Sequence, residues 1–422
     1  MPLSVRPGET FFRRDGNPFF WLADTVWSAF SKTDDREWDY YLEHRQQQGF
    51  NTLQINVLTQ WDSGLATVLR QPFFPGKDDR PDYTKPNLAY FEHAAAMTKK
   101  AVSMGFVPAL VMLWCGAVPD TWLSKQQDGK EIIPFEQLPG VLDLMLDYFG
   151  DCHPVWVVSG DTDFSSGSTA YYKFAMDYVR ERQPESLLTL HLNGGNTVIP
   201  EELVQRMDCY LYQSSHDIQG FSGAYKMAEA FGAYPPKPLI NSEPPYEAHS
   251  QVTDLGRYSA AQVRCAGWQS VLAGASAGVT YGAHGVWGWM QPGEGMAAEY
   301  SGLALPALTA LQFPGAWDYG YIRHVAERLA LYGMRPAREL LEAPLREEIQ
   351  LSTSADDSTL LLYLPCEAEV TLNGRYRVAE AHDLENRRIL TAQTEWRGDK
   401  TVIGMPWVNG DLLYVLVRDE RG

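Results

Sequence analysis

The chain has 422 residues, with 35 Lys and Arg against 53 Asp and Glu, a formal charge of -18. That surplus of negative charge argues against nucleic acid and anionic membrane surfaces, both polyanions, and favours a neutral ligand. Hydrophobic residues make up 45% of the chain, enough for a large core. No run approaches the roughly 18 consecutive apolar positions of a membrane span.

Strand-like and helix-like segments alternate from the N-terminus onward. Phe19–Ala23 is a strand candidate ending at Asp24. Asp34 and Glu37 form a capping box for a helix that Gly49 stops. Thr52–Val57 is β-rich. Asn87 is placed to cap a helix from Leu88 to Met104, and Phe106–Trp114 is a continuous apolar strand. The pattern repeats as helix Leu138–Phe149, strand Val155–Ser159, helix Thr169–Arg182, strand Leu187–Leu192 and a short helix Glu201–Met207. Strand Cys209–Tyr212, helix Ala224–Phe231, strand Pro238–Asn241, helix Tyr258–Ala273 and strand Gly278–Gly282 complete it.

Eight strand–helix repeats with apolar strands predict a closed (β/α)₈ TIM barrel over residues 1–335. No Gly-x-Gly-x-x-Gly follows the first strand, which counts against an open dinucleotide-binding sheet. Beyond about Arg335 the helices cease. Ile349–Ser352, Thr359–Leu364, Ala368–Leu372, Thr401–Gly404 and Leu412–Val417 predict a small all-β sandwich over residues 336–422, with Asn373-Gly374 as a hairpin signal.

Barrels of this kind carry their sites at the C-terminal strand ends. Two such ends share one design: Trp156-Val-Val-Ser-Gly-Asp161 and Leu239-Ile-Asn-Ser-Glu243 each finish an apolar strand with a carboxylic acid. A pair of acids among aromatics suits the two-carboxylate chemistry of glycosidic bond cleavage. The Pro244-Pro245 that follows Glu243 fixes the backbone and removes donors, so Glu243 is no ordinary helix-surface residue. Asp163 is an alternative to Asp161 or an N-cap for the next helix.

Other strand ends supply Asp24, Trp27, Gln54, Asn56, Trp61, Trp114, Gln213, His216, Tyr246, His284 and Trp287. Acids, amides, imidazoles and indoles together suit a sugar, which needs hydrogen bonds for hydroxyls and flat apolar surfaces for C–H faces. Asp24 is equally readable as a helix cap. The nine histidines show no His-x-His or His-x-x-x-His spacing and the five cysteines no close pair, so neither a metal nor another cofactor is expected. Gly274-Ala-Ser276-Ala-Gly278 matches the letters of a nucleophile elbow, but it leads into a strand rather than out of one.

The motifs Leu22-Ala-Asp24-Thr-Val-Trp27, Gly49-Phe-Asn-Thr-Leu-Gln-Ile55, Trp156-Val-Val-Ser-Gly-Asp161, Tyr212-Gln-Ser-Ser-His216, Asn241-Ser-Glu243-Pro-Pro-Tyr246 and Tyr281-Gly-Ala-His284-Gly-Val-Trp287 occur in barrel order. As a set they resemble the apiosidase-like glycoside hydrolases (glycoside hydrolase family 140 and relatives). One departure is that Ser159-Gly160 precedes Asp161, where relatives tend to carry Gly-Gly. The resemblance implies a (β/α)₈ barrel with a C-terminal β-sandwich, Asp161 as acid/base and Glu243 as nucleophile.

The expected activity is exo-acting, retaining hydrolysis that releases a terminal sugar, apiose or similar, from an oligosaccharide or small glycoside. An endo-acting polysaccharide hydrolase and a non-catalytic carbohydrate-binding protein are the alternatives. The first residues lack an apolar signal segment, so a cytoplasmic location is expected, with no nucleic-acid or membrane partner and a homo-oligomer possible.

Overall fold

In a computed structural model, residues 2–64, 67–216, 220–251, 256–294 and 302–419 are described. Eight parallel strands form one sheet: β1 (Trp21–Thr25), β2 (Thr52–Asn56), β3 (Val107–Trp114), β4 (Val155–Gly160), β5 (Leu188–Thr189), β6 (Tyr210–Gln213), β7 (Leu239–Glu243) and β8 (Gly278–Tyr281). The order around the sheet is β5-β4-β3-β2-β1-β8-β7-β6, and a parallel bridge from His191 to Leu211 brings the two edges together. This is the expected TIM barrel. Its main helices are α1 (Asp35–Gln47), α2 (Leu88–Ser103), α3 (Leu138–Phe149), α4 (Ser166–Arg182), α5 (Gly220–Ala230), α6 (Ala260–Leu272) and α7 (Gly315–Arg328).

Alternation along each strand splits the apolar side chains into two layers. Trp21, Ala23, Val107, Ala109, Val111, Val155, Val157, Leu211 and Ile240 fill the barrel interior. Leu22, Leu53, Ile55, Leu110, Met112, Trp156 and Val158 face the helices. The barrel's N-terminal end is stoppered by a three-stranded antiparallel sheet (Leu3–Ser4, Phe12–Arg14, Asn17–Phe19), whose Leu3, Phe12 and Phe19 join the inner cluster. Phe19 therefore belongs to that sheet rather than to the first barrel strand, which starts at Trp21.

Local signals hold in part. Asp34 and Glu37 make the full capping box on α1. Asn87 makes no cap; its side chain donates to the Gln71 carbonyl instead. Asp163 is not the N-cap of α4, because Ser165 fills that place.

The C-terminal part contains two antiparallel sheets. One has six strands, in the order Arg335–Pro336, Gln350–Thr353, Thr359–Leu364, Leu412–Arg418, Tyr376–Asp383 and Arg388–Leu390. The other has four, in the order Leu341–Ala343, Val370–Asn373, Lys400–Ile403 and Thr394–Arg397. Asn373-Gly374 is not a hairpin turn. The strands on either side of it lie in different sheets, so the dipeptide carries the chain across from one to the other. The six-stranded sheet packs on α6 and α7: buried Arg264 reaches Asp318 (2.9 Å) and Asp411 (2.7 Å), and Leu361, Tyr363, Leu413 and Val415 merge with the barrel's outer core. Among the described residues, no helix is long and apolar enough to cross a membrane.

Candidate active site

The C-terminal strand ends open into a pocket of about 380 Å³ lined by Trp27, Trp61, Asp62, Trp114, Trp122, Asp161, Asn193, Gln213, Ser215, His216, Glu243, Tyr246, His249 and Trp287, among others. Nine of the thirteen expected site residues line it: Trp27, Trp61, Trp114, Asp161, Gln213, His216, Glu243, Tyr246 and Trp287.

Glu243 reaches the pocket through a break in alternation. In β7, Ile240 points into the barrel and Asn241 points out, bonding Ser270 of α6. Regular alternation would turn Glu243 outward as well. The pairing with β6 slips by one residue, so that Tyr212 faces Asn241 but Gln213 faces Glu243. Ser242 is the extra residue, and the bulge re-aims Glu243 into the pocket. The Ser242 hydroxyl donates to the Tyr212 carbonyl (3.1 Å), and its own carbonyl accepts from Gln54 Nε2 (3.0 Å), which holds the bulge from both sides.

Two histidines hold the Glu243 carboxylate. His216 Nε2 lies 2.9 Å from Oε1, and His191 Nε2 makes a looser contact of 3.3 Å with Oε2. The backbone sets which ring nitrogen faces the acid. The Asp161 N–H donates to His191 Nδ1 (3.2 Å) and the Tyr246 N–H to His216 Nδ1 (3.3 Å), so in both rings Nε2 is the donor. Burial alone would raise the Glu243 carboxyl, but the two imidazole N–H groups outweigh it and bring it down to about 2. Burial and the Glu243 charge keep the Tyr246 phenol far above its ordinary value, so it remains an O–H.

Asp161 has the opposite environment. Burial first, then the charges of Glu243, Asp62 and Asp163, push its carboxyl well above the ordinary carboxylate range. Its backbone is left-handed (φ 49°), a region Asp tolerates better than most residues. The N–H bond to His191 and a bond from Trp122 Nε1 to its carbonyl (2.8 Å) keep it there. Gly160 is required beside it, since a Cβ at that position would sit 2.2 Å from the Trp114 ring. Asp161 lines the pocket, whereas Asp163 Oδ1 accepts from the Trp122 N–H (3.1 Å) and ties down that loop.

Four expected sugar-binding residues do not reach the pocket. Asp24 shares the outward face of β1 with Leu22 and is fully buried against α1, where Oδ2 accepts from Arg45 Nε (2.7 Å) and Tyr41 (2.8 Å). It does not line the pocket, and the short helix that follows takes Ser28 rather than Asp24 as its N-cap. Gln54 lies inside the barrel, linking β2 to Ser242 and Thr280. Asn56 braces the loop beyond β2 through Gln60 and Leu58. His284 is fully buried. Its Nδ1 accepts from Trp287 Nε1 (3.2 Å), its Nε2 lies 3.1 Å from the Gly302 carbonyl, and burial lowers it to about 4. Gln54, Asn56 and His284 thus brace groups at the pocket wall, whereas Asp24 ties β1 to α1.

The site also has members that sequence reasoning left out of its site set. His191 and Asn193 follow β5, and Asp62 adjoins Trp61; all three carry the same strand-end signal as their neighbours. Trp122 and His249 lie in the loops beyond β3 and β7, and no local pattern marks them. Trp61 and Trp122 meet edge to face at 5.9 Å on the wall. His249 stacks on His216 at 4.3 Å. Gln213 Oε1 and Trp114 Nε1 are buried without a protein partner among the described residues, which leaves an acceptor and a donor for a ligand. Among the described residues, no group of three or more His, Cys, Asp or Glu side chains is arranged to hold a metal ion.

Two carboxyls pushed to opposite protonation states at the mouth of a parallel barrel, with indole faces around them, are suited to splitting a glycosidic bond. The chain is a glycoside hydrolase. The profile of the apiosidase-like catalytic domain matches residues 6–332, and the chain belongs to that family.

The fold has solved relatives. A glycoside hydrolase superimposes with a TM-score of 0.82 at 19% identity, over 100% of this chain and 98% of that one. A glycoside hydrolase family 5 protein from Bacteroides vulgatus gives 0.80 at 20% identity, over 99% and 93%. An alpha-amylase from Lactobacillus plantarum gives 0.54 at 13%, over 94% and 98%. No curated protein sequence matches the chain.

Proposed function

We propose that the protein is an exo-acting, retaining glycosidase that removes a terminal neutral sugar, apiose or a similar one, from an oligosaccharide or small glycoside. In this reading Asp161 protonates the leaving oxygen while Glu243 attacks the anomeric carbon. Asp161 then deprotonates the water that releases the sugar.

The observation that carries the reading is the divergence of the two acids. Asp161 is held towards its protonated form, which a general acid needs. Glu243 at about 2 is a weak base for activating water, but it is permanently ionised and makes a good leaving group from a glycosyl-enzyme. That favours a nucleophile, hence retention, over the water-activating base of an inverting enzyme. The pocket volume of about 380 Å³ is near the lower end for ligand sites and suits a chain end better than a long polymer cleft. Trp27, Trp61, Trp114 and Trp287 would serve as platforms, and Gln213, His216 and Tyr246 as hydroxyl partners.

A panel of 4-nitrophenyl glycosides that includes apiosides, followed by proton NMR of the first-formed anomer, tests the reading. Release of one terminal sugar with its anomeric configuration kept is expected. Inversion, or release of internal fragments from a polysaccharide with no action on small glycosides, would overturn it.

A further inference from the structure

A third carboxyl, Asp62, shares the pocket with Asp161 and Glu243 and makes or breaks no bond in the two-acid mechanism. It lies on the loop after β2, beside Trp61. A relay of amides sets its direction: Asn56 Nδ2 at the end of β2 donates to Gln60 Oε1 (3.0 Å), and Gln60 Nε2 donates to Asp62 Oδ1 (2.9 Å). Asn56 is anchored in turn by the Leu58 N–H, which donates to its Oδ1 (3.2 Å). The Gln60 bond is the only one that Asp62 receives from another side chain among the described residues; its own backbone N–H supplies the other donor. Among the described residues, no Lys or Arg lines the pocket to pair with it. The carboxyl is thus oriented from the barrel wall and lacks an ion-pair partner there.

Asp62 is half-buried on the pocket wall, so a ligand that displaces solvent from its carboxylate must supply donors in its place. Sugar hydroxyls are such donors, and adjacent hydroxyls on one ring can donate to a carboxylate together. A uronic or phosphorylated sugar would instead bring a further negative charge against Glu243 and Asp62. We propose that Asp62 is a specificity-determining residue, accepting hydrogen bonds from neighbouring hydroxyls of a neutral sugar ring and excluding anionic sugars. The inference rests on the pocket being a sugar site, but not on which acid is the nucleophile.

The test is binding rather than turnover. The full chain is titrated with neutral monosaccharides, their single-deoxy analogues and the matching uronic acids, using the fluorescence of the pocket tryptophans. The expected wild-type result is saturable binding of at least one neutral sugar, weaker binding of one of its deoxy analogues, and no uronate binding in the same range. Asp62→Asn keeps size and can still accept from Gln60, but it turns a donor towards the sugar. It should weaken neutral-sugar binding by about 10- to 100-fold and lose the deoxy discrimination. If that variant folds poorly, Gln60→Leu cuts the relay and leaves the carboxyl in place; a several-fold loss of affinity is expected.

Neutral-sugar affinity within twofold of wild type in the soluble variant overturns the proposal, as does equal wild-type affinity for uronates or no neutral-sugar binding. Repeating the titration on Glu243→Gln separates the two readings. Retained sugar binding there, together with undiminished hydrolysis, would sink the nucleophile assignment while leaving Asp62 standing.

Discussion

Replacing Glu243 with Gln should damage both catalysis and stability, and the two effects have separate magnitudes. A carboxylate accepts at both oxygens, whereas Gln offers one oxygen and one NH₂. His191 and His216 both present Nε2–H, because the Asp161 and Tyr246 N–H groups occupy the Nδ1 positions. The introduced amide can therefore satisfy His216, but it must set its NH₂ against the His191 N–H. Lowering the carboxyl from an ordinary 4.5 to about 2 corresponds to roughly 3 kcal/mol of stability from the ionised form.

A depressed acid contributes fully above its unfolded value, and the contribution disappears as pH falls through the folded one. The variant should thus melt on the order of 5 °C below wild type at pH 7, with the gap closing between about pH 5 and 2. Turnover of the best glycoside should fall by about 10⁴-fold or more, as for loss of a covalent nucleophile. Calorimetry across pH and a stopped glycoside assay measure the two. A folded variant with a tenth of wild-type turnover, or with wild-type stability at pH 7, would refute the account.

Asp161→Asn should also abolish turnover of unactivated glycosides, yet stabilise the fold. A raised acid contributes stability below its unfolded value and loses it as pH rises through the folded one, so the variant's Tm should exceed wild type at pH 8 and converge near pH 4. In wild type, kcat/KM should fall on the alkaline side as Asp161 ionises, a limb that pH–rate profiles would locate. Arg264→Met leaves buried Asp318 and Asp411 without their shared cation; denaturant titration should show a loss of about 3–5 kcal/mol. His284→Ala frees the Trp287 indole without removing any group from the pocket wall, so KM for small glycosides should rise several-fold with kcat changed less.

Much of the architecture was legible in order, because each strand had to be apolar on both faces and each helix on one. The eight barrel strands sit within a residue or two of their expected bounds, except the fifth, whose Leu187–Leu192 shrinks to two paired residues and isolated bridges. Turn chemistry was less dependable. Asn373-Gly374 has the letters of a hairpin, yet its neighbours pair with strands far along the chain, and that pairing overrides the local preference.

What the sequence determined by itself was where acids end strands and which segments are buried; both are local properties, set by residue type and spacing. Tertiary structure decided which way those residues point. Asp24 and Glu243 both stand at a strand's end, but alternation sends the first to Arg45, while the slip opposite Tyr212 turns the second into the pocket. The low value of Glu243 and the high one of Asp161 come from His191, His216, Asp62 and burial. These are contacts between segments 27 to 99 residues apart, so no local pattern could encode them.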